Sequence, residues 1–223
     1  MVLKICGITR VEDAQHAVAH GATALGFVFW PRSPRHVSPE QVALIVKSLP
    51  SGVMKVGVFV NEPFADVQAV VERTGITVVQ LHGEEQAPGA RSLCVPVIRS
   101  TTLERAAALA AEWPDDTTFL LDASDPVRRG GTGNTVDWNA AAQVAARRRV
   151  ILAGGLTPAN VAEAISLVRP WGVDVSSGVE ERPGVKNLDA VAAFLRSARA
   201  AFESAGRVPA DIGRVPLDPA RDQ

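Results

Sequence analysis

The sequence predicts an α/β fold, a single (β/α)8 TIM barrel with eight parallel strands and outer helices. Short apolar runs rich in Val, Ile, Leu and Phe alternate about eight times with longer stretches of helical period. These runs show little polar alternation, as is typical of parallel strands covered on both faces. Residues of unusual character, such as Cys6, His82 and Asp122, end or follow strands that are far apart in the chain. This favours a closed barrel over a doubly wound open sheet, because only closure brings all strand ends to one rim.

Each predicted element rests on a local pattern. The predicted strands are residues 3–6, 24–29, 53–60, 78–81, 95–99, 118–122, 150–153 and 172–175. The predicted helices are residues 11–20, 39–48, 63–73, 84–93, 103–112, 139–147, 158–168 and 188–202. Ser38, Asn61 and Thr157 each stand shortly before a proline, which predicts an N-cap and an early-turn proline. The fourth helix has the weakest pattern, because Pro88 and the glycine after it interrupt it.

The composition indicates one globular domain. The chain has 223 residues, 47% hydrophobic and 21% charged, so it can bury a core without disulfides or metal. We expect residues 1–205 to form the barrel domain, because no linker or change of composition interrupts them. Residues 206–223 contain three prolines, scattered charges and no periodicity, which predicts a flexible C-terminal tail.

Charge and hydropathy exclude several classes of partner. The formal net charge is −1 and the pI about 6.4, which predicts no nucleic acid and no anionic membrane as partner. No apolar run approaches the roughly 18 residues of a membrane helix, and the N-terminus lacks the apolar region of a signal peptide. We therefore expect a cytoplasmic protein. Its two cysteines, Cys6 and Cys94, are far apart, which predicts neither a disulfide scaffold nor a metal site.

Glycine-rich segments follow the last three predicted strands. Backbone without Cβ atoms can turn its N–H groups towards an anion, and the loops after strands seven and eight are recurrent phosphate sites in such barrels. One segment alone more often shapes a tight turn, but three on adjacent loops favour phosphate binding. The residues expected at this site are Gly130, Gly131, Gly133, Gly154, Gly155, Ser176, Ser177 and Gly178.

Cys6 and Asp122 are the candidate proton-transfer residues. A lone cysteine is usually a small buried apolar residue, but Cys6 lies on the predicted rim, where a thiolate can serve as base or nucleophile. Asp122 ends an apolar strand, where a carboxyl is costly to bury without a role and suits a general acid. The alternative for Asp122 is a helix cap or an organiser of the loop. Cys94 is predicted to belong to the core at the opposite end of the barrel.

Two arginines, Arg32 and Arg35, lie on the proline-rich loop after the second strand. A guanidinium on a stiff loop above the rim can bind a substrate carboxylate through two parallel N–H groups. Most arginines are instead solvated surface charges. The sequence therefore predicts a candidate carboxylate site on this loop.

Four further polar residues lie in or near predicted strand ends. His82 can transfer protons or only hydrogen-bond locally. Asp174, within the eighth strand, is a functional or a structural carboxyl. Asn61 and Arg99 could point into the same site, but the sequence assigns them no role.

Eight segments of the chain, in order and spacing, resemble the phosphoribosylanthranilate isomerase family of tryptophan biosynthesis. They are LKICGIT at 3–9, LGFVFWPRSPR at 25–35, VGVFVN at 56–61, VQLHGEE at 79–85, LLDA at 120–123, GGTG at 130–133, LAGGLTPANV at 152–161 and VDVSSGVE at 173–180. The resemblance covers residues 2–202. The cysteine of the first segment and the aspartate of LLDA together separate this family from other phosphate-binding barrels. Trp30 replaces another aromatic residue common in the family, and the tail after residue 205 has no counterpart.

The resemblance implies an Amadori rearrangement of N-(5-phosphoribosyl)anthranilate to 1-(2-carboxyphenylamino)-1-deoxyribulose 5-phosphate, with no cofactor and no metal. By position, Asp122 matches the general acid that opens the sugar ring, and Cys6 the general base that removes the C2 proton. Arg35 matches the arginine that holds the anthranilate carboxylate. The glycine segments match the phosphate site, and Asp174 lies near the anthranilate nitrogen. The implied partner is a small phosphorylated substrate, bound by a monomer or a homodimer.

Two other functions are compatible with such a barrel. An isomerase of the related aldose of histidine biosynthesis uses two aspartates as its acid–base pair, and Cys6 in the first strand argues against it. A barrel that binds phosphorylated ligands without catalysis is disfavoured by the joint presence of Cys6, Asp122 and Arg35. Binding of a substrate analogue without turnover would support this second alternative.

Overall fold

The computed structural model describes residues 1–122 and 137–206, and it shows a closed parallel barrel. The strands pair in chain order, and the last strand pairs in parallel with the first, which closes the ring. They are β1 Val2–Cys6, β2 Ala24–Val28, β3 Met54–Phe59, β4 Val78–Leu81, β5 Val97–Thr102, β6 Thr118–Asp122, β7 Val150–Ala153 and β8 Gly172–Val175. The predicted fold class is confirmed.

Helices follow the strands throughout the described residues. They are α1 Val11–Ala19, α2 Pro39–Lys47, α3 Phe64–Thr74, α4 Ala87–Ala90, α5 Leu103–Glu112, α6 Trp138–Ala145, α7 Val161–Val168 and α8 Leu188–Ser204. Between β8 and α8 the chain forms a short 3-10 helix, Ser177–Val179, and a hairpin of β9 Glu180–Arg182 and β10 Val185–Lys186. None of these helices is long and apolar enough to cross a membrane. Of the predicted tail, all but Gly206 lies outside the described residues.

The interior of the barrel is apolar in its amino-terminal half. Alternate residues of the strands face inwards, and apolar ones among them, most of them towards the amino-terminal end, form one buried cluster: Val2, Ala24, Val56, Val78, Ile98, Leu120, Ile151 and Ala153. The other face of the strands packs against the helices in a larger cluster that includes Leu3, Ile5, Leu25, Phe27 and Phe119. Towards the carboxyl ends of the strands, several inward-facing positions are polar. The site residues therefore lie above an apolar layer of the barrel interior.

Only one of the three predicted N-caps is confirmed. The Ser38 hydroxyl accepts a hydrogen bond from the Gln41 N–H, and the Gln41 side chain accepts one from the Ser38 N–H, which together form a capping box. The helix after Asn61 begins only at Phe64, and the helix after Thr157 begins at Val161. The side-chain Oδ1 of Asn61 instead accepts a hydrogen bond from the Glu84 N–H at 2.6 Å.

The fourth helix is shorter than predicted, with four residues in place of ten. Glu85, where the first helical turn was expected, is buried and its carboxylate accepts from the N–H groups of Asn61 and Gly83, at 2.7 and 2.8 Å. The same carboxylate pairs with Arg99 at 3.2 Å. These bonds hold the segment in a loop, because its polar groups are already satisfied by remote partners.

The fifth strand begins two residues later than predicted and continues to Thr102, so Arg99 lies within it. Arg99 is buried, donates to the carbonyl oxygens of Leu81 and Gly83, and packs over the ring of Trp113. The prediction of a buried Cys94 is wrong, since this residue precedes the strand and is exposed. Its Sγ accepts a hydrogen bond from Gln68 at 2.9 Å.

We expect Glu85→Ala to destabilise the fold by about 3 kcal/mol, because it leaves Arg99 buried without its carboxylate. Chemical denaturation followed by circular dichroism measures this change. Glu84→Ala is the matched control: Glu84 pairs with Arg105 on the surface, and such exposed pairs contribute little. Equal midpoints for the two variants would show that the Glu85–Arg99 pair does not hold the loop.

Candidate active site

A cavity of about 740 Å³ opens at the carboxyl ends of the barrel strands, within the size range of small-molecule sites. Ten predicted site residues line it: Cys6, Arg35, His82, Asp122, Gly154, Gly155, Asp174, Ser176, Ser177 and Gly178. Gly130, Gly131 and Gly133 lie outside the described residues. Arg32, Asn61 and Arg99 do not line the cavity. For Arg99 the reason is its position in the strand, which directs the side chain into the outer layer.

Cys6 ends β1, and only 8% of the residue is exposed. Gly26, its register partner on β2, leaves the space that the thiol occupies: a Cβ there would lie 2.7 Å from Sγ and 3.1 Å from Lys4 Nζ. Burial raises the pKa of the Cys6 thiol above its usual range, although the ammonium of Lys4 lowers it. The free protein therefore holds Cys6 mainly as a thiol near neutral pH, next to a cation that favours the thiolate.

Lys4 and Asp174 form an ion pair inside the barrel. They are register partners on β1 and β8, and Lys4 Nζ lies 2.9 Å from Asp174 Oδ1. Lys4 has no exposed surface. Burial lowers the pKa of Lys4, but the carboxylate of Asp174 and, when ionised, the sulfur of Cys6 outweigh it, so the pKa is raised and the ammonium keeps its charge.

Asp122 and His82 occupy another part of the cavity wall, at the ends of β6 and β4. Burial lowers the pKa of His82 more than the carboxylate of Asp122 raises it. The imidazole is therefore neutral at pH 7 and suits hydrogen bonding rather than proton donation. Among the residues described, no three His, Cys, Asp or Glu side chains are grouped to hold a metal ion.

Arg35 reaches from the loop after β2 to the hairpin after β8. Its Nε and Nη2 donate to the two carboxylate oxygens of Glu180 at 2.9 and 2.6 Å, and Lys186 Nζ donates to the same carboxylate at 2.8 Å. The hydrogen bond to Glu180 raises the pKa of Arg35. Gly7, at φ 76°, makes room for this arrangement, because a Cβ there would lie 2.5 Å from Arg35 Cδ. The guanidinium is thus fixed at the cavity wall, where it can meet a carboxylate.

The loops after β7 and β8 meet at the mouth of the cavity. Gly154 and Gly155 have φ values of 89° and 65°, which glycine adopts readily and other residues do not. Gly178 approaches the carbonyl oxygen of Leu156 so closely that a Cβ would overlap it. The hydroxyl of Ser176 is buried and has no hydrogen-bond partner among the described residues. This combination of open backbone and an unsatisfied hydroxyl fits an anionic ligand group.

Sequence reasoning missed four polar residues of the site: Lys4, Gln80, Glu180 and Lys186. Lys4 interrupts an apolar strand, so the cost of burying its charge is a signal that could have identified it. Gln80 lines the cavity and donates to Ser100 Oγ at 3.1 Å. Glu180 and Lys186 lie in the hairpin after the last barrel strand, and their pairing with Arg35 depends on the closed fold.

Known proteins are similar to this chain over most of its length. The family described as N-(5'phosphoribosyl)anthranilate (PRA) isomerase matches residues 3–197. An N-(5'-phosphoribosyl)anthranilate isomerase from Pelobacter propionicus is 46% identical over 198 residues, which is 88% of this chain and 95% of that protein. The same enzyme from Geobacter metallireducens is also 46% identical, over 89% of this chain and 98% of its own length.

Solved structures give the same result. Phosphoribosyl anthranilate isomerase from Thermotoga maritima is 42% identical with a TM-score of 0.82, and the alignment covers 90% of this chain and all of that one. A phosphoribosyl anthranilate isomerase in complex with reduced 1-(o-carboxyphenylamino)-1-deoxyribulose 5-phosphate is 40% identical with a TM-score of 0.78, over the same shares of both chains. The chain therefore belongs to the N-(5'-phosphoribosyl)anthranilate isomerase family.

Proposed function

We propose that this chain catalyses the Amadori rearrangement of N-(5'-phosphoribosyl)anthranilate to 1-(2-carboxyphenylamino)-1-deoxyribulose 5-phosphate, in tryptophan biosynthesis. One observation carries the proposal: Cys6, Asp122 and Arg35 line a single cavity together with the glycine loops after β7 and β8. Membership of the isomerase family supports the reaction. A solved relative that holds the reduced carboxyphenylamino-deoxyribulose phosphate supports the substrate class.

Asp122 serves as the general acid in this proposal. Its proton goes to the ring oxygen of the furanose, the bond between that oxygen and C1 breaks, and the lone pair of the anthranilate nitrogen forms an iminium with C1. The position of Asp122 at the end of β6 supports this role, because a strand end holds the carboxyl more firmly than a loop does. The neutral imidazole of His82 can orient the substrate nearby without competing as an acid.

Cys6 serves as the general base. Its thiolate takes the proton from C2, the electrons of that C–H bond form a double bond between C2 and C1, and the iminium nitrogen becomes neutral. The resulting enolamine tautomerises to the ketone. The iminium acidifies the C2 proton, and the raised pKa of Cys6 makes its thiolate a stronger base once formed.

Two anchors at opposite ends of the substrate position the reacting carbons. The phosphate fits the loops that carry Gly155 and Ser176, and the anthranilate carboxylate fits the guanidinium of Arg35. In this proposal Asp174 lies near the anthranilate nitrogen, as the resemblance to the family implies. Fixing both ends turns proton transfer into a step between groups already in contact, which supplies much of the rate enhancement in enzymes of this kind.

Other properties remain predictions. We propose that residues 1–205 form the catalytic domain and that it works in the cytoplasm as a monomer or a homodimer. The isomerase of Thermotoga maritima is dimeric and has also been studied as monomers. Sedimentation equilibrium of this chain distinguishes the two states.

Cys6→Ala is expected to lower kcat at least about 100-fold, the scale on which a general base contributes, while the fold is kept. The fluorescence decay of freshly generated phosphoribosylanthranilate measures turnover. Cys94→Ala is the matched control and should keep the parent rate, because Cys94 is exposed and outside the cavity. A Cys6→Ala variant at the parent rate would remove Cys6 from the mechanism. A folded parent chain that binds a substrate analogue without turnover would favour the non-catalytic barrel.

Asp122→Asn should lower kcat to a similar extent, because the amide keeps the shape of the side chain but has no acidic proton to give. The same fluorescence assay measures the loss, and circular dichroism checks the fold. Asp116→Asn, an exposed substitution just before β6, should leave the rate unchanged. Near-parent turnover by Asp122→Asn would assign the acid to another residue.

Arg35→Ala should raise KM about 10- to 100-fold with a smaller effect on kcat, because charge-assisted hydrogen bonds to the substrate carboxylate are lost. Steady-state kinetics over a range of substrate concentrations separates the two constants. Arg32→Ala, on the same loop but exposed and outside the cavity, should behave as the parent. If KM rose in Arg32→Ala and not in Arg35→Ala, the carboxylate site would have to be moved to Arg32.

A further inference from the structure

Lys4 lies directly behind the thiol of Cys6 and is fully buried. Two positions earlier on β1, it faces the same side of the barrel wall as Cys6. A Cβ atom on Gly26 would lie 2.7 Å from Cys6 Sγ and 3.1 Å from Lys4 Nζ, so both atoms lie within about 3 Å of one point. The ammonium and the thiol therefore share the small space that Gly26 leaves open.

Among the described residues, one carboxylate holds the ammonium of Lys4. Asp174 Oδ1 accepts its hydrogen bond at 2.9 Å, and the strand register of β1 and β8 fixes the pair. A buried ion pair of this kind contributes little to stability compared with apolar residues of the same size. Its position behind Cys6 points to a role in the site.

Four charged groups act on Cys6 from the elements packed around it. Lys4 comes from β1, Asp174 from β8, Lys186 from β10 and Arg35 from the loop after β2. Burial raises the pKa of the thiol, and Lys4 opposes this more strongly than Lys186 does. Asp174 acts in the opposite sense. Lys4 is thus the main group that favours the thiolate.

We propose that Lys4 is a positioning residue for the isomerase reaction: its ammonium, oriented by Asp174, donates a hydrogen bond to Cys6 Sγ and stabilises the thiolate. The inference rests on the proposed role of Cys6 as the base. Lys4 stays protonated throughout and exchanges no proton. The thiolate takes the C2 proton and becomes a thiol, and the electron pair moves into the iminium as before.

The test measures the thiolate directly, without turnover. In a Cys94→Ser background Cys6 is the only cysteine, and its rate of alkylation by iodoacetamide at pH 8 follows the fraction of thiolate. Lys4→Met should lower this rate about tenfold or more, because a charge-assisted hydrogen bond to the sulfur is lost. A Lys4→Met rate within twofold of the background would overturn the proposal.

Lys55→Met is the matched control. Lys55 is also a buried strand lysine, but within the described part of the chain its Nζ donates to the backbone carbonyls of Pro50 and Ser51 and to no carboxylate. We expect alkylation of Cys6 at the background rate. A tenfold fall in this control would show that the loss of any buried lysine loosens the barrel, which would overturn the specific role of Lys4.

If Lys4→Met alone does not fold, the comparison moves to Asp174→Asn with and without Lys4→Met. The double variant has no unpaired buried ion, and comparing its Cys6 alkylation rate with that of Asp174→Asn isolates the effect of Lys4. Equal rates in the two variants overturn the proposal, and a tenfold lower rate in the double variant supports it.

Kinetics of the same variants separates this inference from the proposed function. In Lys4→Met, kcat should fall about tenfold with little change in KM, and the limb of the pH profile that belongs to Cys6 should move to higher pH. Unchanged alkylation of Cys6 in Lys4→Met, together with an inactive Cys6→Ala, would overturn the role of Lys4 and leave the isomerase proposal standing. An active Cys6→Ala would overturn the base itself, and with it the role of Lys4 in the reaction.

Discussion

The whole structure depends on one constraint: the closed ring of parallel strands decides which side chains face the interior. Because side chains alternate along a strand, Val2, Lys4 and Cys6 form one inward-facing line on β1. That line runs from apolar at the amino end, through a buried charge, to a thiol at the rim. Gln80 on β4 and His82 directly after it continue a similar line above the apolar Val78. The apolar layer of the interior supports the carboxyl-terminal rim, where the candidate site residues lie.

Charges taken into this interior have to be paired, and the pairs join parts of the chain that are remote in sequence. Lys4 and Asp174 are 170 residues apart, and Arg35 and Glu180 are 145 apart. Removing one partner of such a pair leaves an uncompensated buried charge, which is strongly destabilising. The pairs therefore fix the loop after β2 and the hairpin after β8 relative to the barrel wall. A site built from both segments is therefore held together by these pairs.

The features that could be predicted from the sequence are those set by local pattern. Continuous apolar runs predicted the strands, and polar residues and glycines at strand ends predicted half of the residues that line the cavity. Where the structure differs, a remote partner decided the outcome. Glu85 lies in a loop rather than in the predicted helix because its carboxylate accepts a hydrogen bond from the backbone of Asn61, 24 residues earlier. Arg99 and Cys94 were misplaced because β5 starts at Val97, and no local signal marks that shift of register.

The barrel mouth is electrostatically divided, and this division suits a reaction that needs an acid and a base together. The cations Lys4, Lys186 and Arg35 are grouped around the thiol, where they favour its ionised form. Asp122 stands on β6, separated from β1 by two strands, beside an imidazole that burial keeps neutral. An acid must keep its proton while a base gives its proton up, so each needs a different environment within one cavity. The strand order of the closed barrel supplies that separation.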